Sequence, residues 1–167
     1  MTLTGEVKAS AQVVLTAAND MGTPTHAFTQ AFDLDFTDGT GANQANNVFS
    51  DERTLAASAT ENLDLSGSLK NAFGDTLAFT AIKAILIIAA EGNTNDVVVG
   101  GAATNAFVGP FGAATHTLKI GPGDCLLFTN RSAAGWSVTA GTGDLVKLAN
   151  GGAGSAVTYR VVIIGEA

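Results

Sequence analysis

The stretch TLAFTAIKAILIIAA, residues 76–90, decides the fold of this chain. Its large apolar side chains fall on both parities, as Ile82, Ile85 and Leu86 illustrate. A run rich in β-branched residues disfavours a helix and suits a pleated strand. Because apolar side chains point to both faces, the stretch predicts a central strand that is covered on both sides of its sheet.

Two earlier segments alternate between apolar and polar residues with period two. In residues 6–16 the odd positions are apolar, Val7 and Val13 among them, and the even positions up to residue 12 are polar. In residues 26–36 phenylalanines and Leu34 occupy even positions, and aspartates occupy two of the odd ones. Period two is typical of a half-buried strand with one wet face. Each segment is therefore predicted to be an amphipathic strand.

Further short apolar runs lie between turn sequences rich in Gly, Asn and Asp, which predicts more strands. They are residues 96–99, 116–120, 125–129, 136–140, 145–148 and 157–164. Helix is scarce, since residues 51–62 have some helix formers but no apolar stripe at helical spacing. Residues 66–73 are expected to form at most a short turn. Many short strands with tight turns require two packed sheets, so we predict an all-β chain, an antiparallel β-sandwich or jelly roll with little helix.

The segment DGTGANQAN, residues 38–46, is the most linker-like part of the chain. It suggests a division into residues 1–45, an N-terminal strand pair or arm with its linker, and residues 46–167, the β-sandwich. The alternative is one continuous domain that includes the N-terminal strands. A chain of 167 residues is long enough for a single core under either organisation.

Charge and cysteine content limit the classes of partner. The net charge is -7, and the eight Lys and Arg residues are scattered without a basic stripe, which argues against nucleic acid and against an anionic membrane surface. A single cysteine excludes an internal disulfide. The longest apolar run, residues 84–90, is too short to span a bilayer, and no secretory signal is visible, so we expect synthesis in a cytoplasm without secretion. Because only 14% of residues are charged, part of the surface is expected to face other subunits.

The segment KIGPGDCLLF, residues 119–128, resembles a phosphate-binding loop only superficially. No Gly-Lys pair exists in the chain, and Gly121–Pro122–Gly123 is followed by neither a third glycine nor a helix. Proline followed by glycine instead predicts a type II turn between two strands. Cys125, beside Asp124 and away from any helix, is expected to be a small buried hydrophobe rather than a nucleophile.

No residue pattern predicts catalysis, a cofactor or a metal. His26 and His116 lie far apart in the sequence and lack a close ligand pair, so a zinc site is not expected. There is no Gly-x-Ser-x-Gly elbow, and the acidic pairs are expected to be solvated charges. Trp136 alternates with apolar residues and is expected to pack in the core. We therefore predict that the chain is not an enzyme.

Two sets of residues are candidates for subunit or capsid contacts. Val7 and Val13 lie in the first amphipathic segment, which precedes the linker-like stretch and is a candidate anchoring or strand-exchanging arm. Phe107 and Phe111 lie in a loop that contains glycine and proline. Apolar loop residues of this kind suggest an edge packed against a neighbouring subunit, and the alternative is a loop folded over its own sandwich.

The order of several short motifs resembles that of small structural proteins of tailed-bacteriophage virions, which decorate or cement heads or form β-sandwich modules in tails. The motifs are RTLAAS (53–58), LDLSGSL (63–69), GDTLAF (74–79), IKAI (82–85), IGPGD (120–124), GWSVTAG (135–141), DL (144–145) and VTYRVVIIG (157–165). The resemblance covers roughly residues 49–165 and leaves residues 1–45 outside.

This resemblance implies a non-enzymatic virion component, made in the host cytoplasm and commonly oligomeric. We expect a capsid decoration or cement protein that binds the major capsid protein or another virion protein, as a homo-oligomer, with a trimer favoured by analogy. The alternative is a tail or fibre module that recognises a host-surface glycan, against which the poverty in Trp and Tyr argues.

Overall fold

The structure is a computed structural model that describes residues 1–167, and it contains twelve β-strands and no helix. The strands are β1 Gly5–Thr16, β2 Thr25–Asp38, β3 Gln44–Ala45, β4 Asn47–Leu55, β5 Thr60–Asp64, β6 Ala81–Ala89, β7 Val97–Gly100, β8 Thr117–Ile120, β9 Cys125–Thr129, β10 Trp136–Ser137, β11 Leu145–Asn150 and β12 Val157–Glu166. The structure therefore contains no helix that could span a membrane.

Strands β4 to β12 form two antiparallel sheets. In the first sheet, β6 pairs with β12, β12 pairs with β4, and β9 and β10 together form the far edge beside β6. The second sheet has the order β5-β11-β7-β8. If β9 and β10 are counted as one interrupted strand, these are eight strands whose sheets read 1-8-3-6 and 2-7-4-5. That interleaving is the jelly roll, so the prediction of an all-β sandwich or jelly roll is confirmed.

The core lies between the two sheets, because alternate side chains of each strand point inward. The first sheet contributes Ile85, Ile87 and the odd-numbered residues of β12 from Val157 to Ile163, and the second contributes Val146, Leu148, Val97 and Val99. All of these side chains are almost fully buried. Their burial is the main source of stability in a chain without disulfides.

Gly165 of β12 lies opposite a bulge in β6, where Lys83 is the extra residue. The register between β6 and β12 shifts between Ile164 and Gly165, which allows Ile82 and Ile85 to face the core although their parities differ. A side chain at position 165 would collide with the carbonyl oxygen of Ala81 and approach the Phe79 ring to 2.9 Å.

Gly165→Ala is therefore expected to destabilise the fold by about 1–3 kcal/mol, the usual cost of overpacking a dense core. Denaturant unfolding of the purified chain measures this change. Gly92→Ala is the matched control, because nothing lies within 4 Å of its added carbon and its backbone is not strained. Equal stability of the two variants would show that the bulge tolerates a side chain.

The N-terminal strands form a hairpin whose base is packed on the sandwich. β1 pairs with β2 over all of its length, and the last two residues of β2 run parallel to β3. Leu34 and Phe36 are buried against Ala45, Ala84 and Ile164, on the outer surface of the first sheet. The division of the chain between residues 45 and 46 stays a prediction, but the linker-like segment is held in place at its point of attachment.

Lys83 holds that attachment together. Its side chain is fully buried, and its ammonium lies 2.8 Å from Glu166 Oε1. It also donates to the carbonyls of Ser132 at 2.6 Å and Ala133 at 2.7 Å, and more distantly to that of Gly41. One cation thus joins the segment between β2 and β3, the β9–β10 loop and the end of β12.

Most predicted strands are found, with differences at their ends and three omissions. Residues 6–16, 26–36 and 125–129 correspond closely to β1, β2 and β9, whereas residues 136–140 yield only the two-residue β10. The two-residue β3, β4 and β5 were not predicted. The turn at residues 121–124 is confirmed as type II, since the Asp124 N–H donates to the Gly121 carbonyl at 3.0 Å and Gly123 has φ of 79°.

The central strand β6 is covered on both faces over only part of its length. Its core-facing residues are buried, and Ala84 on the other face lies under the hairpin base. Further along that outer face, Leu86 is only half-buried and Ile88 is 37% exposed. The prediction that this strand is covered on both faces therefore holds for only part of its length.

Candidate functional site

The most unusual surface of the molecule is the hairpin of β1 and β2, which we call the arm. Its twelve residue pairs run from Gly5 opposite Phe36 to Thr16 opposite Thr25. At about 3.4 Å per residue the arm is about 40 Å long. Every residue from 8 to 33 is exposed, and the buried residues of the hairpin, Leu34 and Phe36, lie at its base.

One face of the arm is largely apolar, with Gln30 opposite Ala11 and His26 opposite Leu15 as its polar members. Residues opposite each other in an antiparallel pair share a face, and the pairs Val7–Leu34, Ala9–Phe32 and Val13–Phe28 all lie on this one. Val13, Phe28 and Phe32 are 40%, 48% and 39% exposed. The tip adds Val14 from the other face together with Leu15 and Met21, all strongly exposed. Contiguous apolar surfaces of this kind mark contacts with other molecules.

The opposite face of the arm is polar near its base. Lys8 forms ion pairs with Glu6 at 2.7 Å and Asp33 at 3.9 Å. The hydrogen bond to Glu6 and its negative charge raise the pKa of the Lys8 ammonium, so the lysine stays charged. The arm is therefore an amphipathic ribbon with one face suited to water and one to a partner.

Both predicted contact valines lie on the apolar face, in different surroundings. Val7 is half-buried, packed with Leu3 and Val162 around the hairpin base. Val13 lies in the free part of the arm and is 40% exposed. In a single chain, Val13 is thus available for a contact with another molecule, whereas Val7 is already partly buried within its own chain.

The interpretation of Phe107 and Phe111 as exposed contact residues was wrong. Their side chains are 3% and 8% exposed and belong to the core between the sheets. The Phe107 N–H donates to the Leu145 carbonyl at 2.9 Å, and the Phe111 ring packs edge-on against Phe128 with centroids 5.6 Å apart. The loop lies over its own sandwich because these two rings fill space that the strands leave open. Trp136 packs against the same core, as predicted, while remaining half-buried.

Cys125 is exposed rather than buried, which corrects a second prediction. In β9, Leu126 and Phe128 turn toward the core, so the alternation places Cys125 and Leu127 on the outer face of the first sheet. There Cys125 lies opposite Ile88, and Leu127 lies opposite Leu86.

These residues form an apolar surface on the sandwich beside the arm. We call it the outer patch and define it as Leu86, Ile88, Cys125, Leu127 and Val162. A groove of about 280 Å³ separates it from the base of the arm, where it meets Glu6, Val7 and Lys8. The outer patch is thus a continuation of the surface on which Leu34 and Phe36 already rest.

Ionisable groups elsewhere form structural networks. Tyr159 is buried, and its hydroxyl donates to Glu61 Oε1 at 2.6 Å, while Arg53 pairs with the other Glu61 oxygen at 2.6 Å. Arg53 Nε also lies 3.1 Å from Asp51. Since Glu61 is in β5 and the other residues are in β4 and β12, the network links the two sheets at their edge.

Tyr159 is expected to remain protonated in the folded chain at a pH of about 11, above the ordinary tyrosine pKa of about 10. Burial and then the hydrogen bond to Glu61 strongly raise the pKa of this phenol. The unfolded chain therefore loses the proton first, and this group's contribution to stability, present below about pH 10, declines as the pH rises further.

The measurement is direct because Tyr159 is the only tyrosine in the chain. Tyrosinate absorbance should stay absent in the folded protein at about pH 11 and appear together with unfolding. Tyr159→Phe should lose less stability between neutral and alkaline pH than the parent does. Ionisation near pH 10 with the fold intact would contradict this expectation.

Neither histidine lines the larger cavity on the sandwich. His26 packs edge-on against Phe28 on the arm, with centroids 5.5 Å apart, and His116 Nδ1 bonds the Phe111 carbonyl. A cavity of about 540 Å³ on the sandwich is lined by acidic residues and Arg160 but contains no histidine. No group of three or more His, Cys, Asp or Glu side chains is placed to hold a metal ion.

Fold and surface together define a class: a jelly-roll sandwich with a protruding amphipathic arm. No protein-family model matches the chain, and no curated protein matches it. Among solved structures it is similar to a chain of the disulfide-linked pili of Bacillus endospore appendages, with 16% identity, a TM-score of 0.36, and coverage of 71% of this chain and 87% of that one.

Two viral structures are also similar. A chain of the cyanophage Pam1 capsid asymmetric unit has 17% identity and a TM-score of 0.40, over 76% of this chain and 86% of that one. A chain of the unassembled Washington University polyomavirus VP1 pentamer has 12% identity and a TM-score of 0.18, over 95% and 91%. At these values the likeness concerns the β-rich fold alone.

Proposed function

We propose that this chain is a non-enzymatic structural subunit of a virion, and that it acts by burying its arm against other subunits. The observation that carries this proposal is the apolar face of the arm, which extends away from the sandwich with Val13, Phe28 and Phe32 exposed. The proposal depends on the arm alone.

The physical reason is the hydrophobic effect. Burying a large apolar side chain stabilises a complex by about 1.5–3 kcal/mol, and the arm offers several such side chains on one ribbon. Part of this gain is offset by the loss of translational and rotational freedom on association. Enough remains for the arm to hold subunits together once its apolar face is covered.

Within this role we propose a head decoration or cement protein of a tailed bacteriophage. Its partners would be the major capsid protein or another virion protein, together with further copies of itself, and it would be made in the host cytoplasm. A subunit that binds only the assembled shell stabilises that shell by mass action. The resemblance of residues 49–165 to small virion proteins supports this choice, and the jelly-roll sandwich supplies a rigid body for it.

An arm-shortened variant tests the function. Residues 11–30 are replaced by Asn-Gly, a two-residue hairpin turn that follows Ser10 and precedes Ala31, which are already paired. The base, with Val7, Leu34 and Phe36, is kept, so the fold should keep its thermal stability. Binding to virion shells that have been stripped of this protein should weaken about 100-fold or more, as expected for losing about two buried large side chains.

The control is the full-length chain on the same shells, with circular dichroism of both proteins to confirm folding. Unchanged binding by the shortened variant would remove the role of the arm. A full-length chain that ignores the shells and instead binds immobilised glycans would favour the tail-module alternative over a decoration protein.

A further inference from the structure

The outer patch is an apolar sheet face that its own chain leaves uncovered. It lies on the same surface as Ala84 and Ile164, which are buried under the arm base. Beyond them, Ile88 is 37% exposed and Cys125 is exposed, while Leu86, Leu127 and Val162 are half-buried. An apolar face of this kind on an otherwise well-packed sandwich indicates a partner.

The chain's own arm does not supply that cover. The groove between arm and patch is lined on the arm side only by Glu6, Val7 and Lys8. From residue 8 to residue 33 every residue of the arm is exposed, and none belongs to or packs against an apolar cluster of the sandwich. The patch and the free part of the arm are therefore both unpartnered in a single copy.

The contact at the base shows how such surfaces fit together. There the apolar face of the hairpin, with Leu34 and Phe36, packs on the outer face of the first sheet. The free part of the arm presents the same face, continued through Phe32, Phe28 and Val13. The outer patch likewise continues the sheet face beneath the base. Sheet faces with inward apolar side chains pack at about 10 Å separation.

We infer, on the basis of the proposed structural function, that the apolar face of the arm docks on the outer patch of a second copy of this chain. Each chain has one arm and one patch, and the two are different surfaces. Such a contact is satisfied in every subunit when the copies close into a ring or exchange arms as a symmetric pair. Each copy then contributes its arm to one neighbour and receives an arm on its own patch.

The single cysteine of the chain allows a direct cross-linking test. Cys125 lies in the outer patch, so a second thiol on the apolar face of the arm should come close to Cys125 of another copy. Ala9→Cys and Ala11→Cys place thiols on that face without removing a large side chain, whereas Ser10→Cys and Gln12→Cys place them on the opposite face. Each full-length variant is oxidised mildly and separated on a non-reducing gel.

The expected result is a pattern with period two. The variants at positions 9 and 11 should give covalent oligomers in at least about tenfold greater yield than those at 10 and 12, because successive residues of a strand face opposite ways. The oligomers should disappear when Cys125 is replaced by serine, which excludes disulfides between two arms. Equal yields at odd and even positions, or no dependence on Cys125, would overturn the inference.

A measurement of mass in solution gives an independent test. The full-length chain should sediment as a closed oligomer, and Ile88→Asp, in the patch, should shift it to the monomer of 16.8 kDa. Leu118→Asp is the control, because Leu118 is similarly exposed, at 40%, but lies in β8 of the other sheet. A wild-type chain that stays monomeric at high concentration would overturn the inference.

Failure here is distinguishable from failure of the proposed function. A monomeric chain whose arm is still required for binding to virion shells would refute docking between copies and leave the virion role in place. A closed oligomer held by the arm that ignores every shell would support docking between copies and refute the virion role.

Discussion

Lys83→Met is expected to lower the free energy of unfolding by about 3–5 kcal/mol, because it leaves Glu166 as a buried charge without its partner. The lysine is fully buried and lies 2.8 Å from Glu166. The substitution also removes the donor from the Ser132 and Ala133 carbonyls. Urea unfolding followed by Trp136 fluorescence, the only tryptophan in the chain, measures the loss.

Two further variants isolate the cause. Lys83→Met combined with Glu166→Leu removes both charges and should recover part of the lost stability, since a buried pair replaced by apolar groups is often tolerated. Lys119→Met, which breaks an exposed pair with Asp96 at 4.0 Å, should change stability by less than about 1 kcal/mol. If Lys83→Met lost as little stability as Lys119→Met, Lys83 would not be the residue that holds the attachment of the hairpin together.

Phe107→Ala is expected to destabilise the chain by about 3–5 kcal/mol, the range for truncating a buried aromatic side chain. The ring is 3% exposed and belongs to the main core. Thermal and denaturant unfolding of the purified protein measure the change. If Phe107 instead served a subunit contact, the monomer would keep its stability and only association would weaken.

Phe73→Ala is the matched control for this prediction, since Phe73 is 79% exposed in a loop. Its truncation should alter stability by no more than about 0.5 kcal/mol. Similar losses for the two phenylalanines would contradict the placement of Phe107 in the core.

The arm and the Gly121–Asp124 turn could be predicted from sequence because local patterns specify them. Alternation with period two over residues 6–16 and 26–36 is sufficient to define two amphipathic strands. Proline followed by glycine is sufficient to define a type II turn. Neither feature depends on which distant part of the chain lies beside it.

β4 and β5 could not be predicted because charges occupy core-facing positions. Opposite residues of β4 and β12 share a face, so Asp51 and Arg53 lie on the same inner side as Val161 and Tyr159. These charges are tolerated at the sheet edge because Arg53 pairs with Asp51 and Glu61. Inward charges on edge strands limit unwanted strand pairing, but they remove the alternation that marks a strand in sequence.

Only part of the candidate contact surface could be predicted, because only the arm is specified by a local pattern. The amphipathic arm containing Val13 is evident in the sequence, but the outer patch is assembled from β6, β9 and β12, whose neighbours are known only from the topology. Cys125 and Phe107 were misplaced because one residue of strand register, or the path of one loop, decides between core and surface.

The position of β12 has a consequence for the order in which the molecule is made. β12 is the twelfth strand along the chain, yet it lies between β4 and β6 and pairs with both. During translation, β4 and β6 are made before β12, the strand that lies between them. The first sheet can therefore form completely only after β12 has left the ribosome. Folding that depends on such distant pairing is slow. The outer patch, which includes Val162 of β12, is therefore complete only when β12 has paired with β6, whereas the arm pairs locally and needs no later part of the chain.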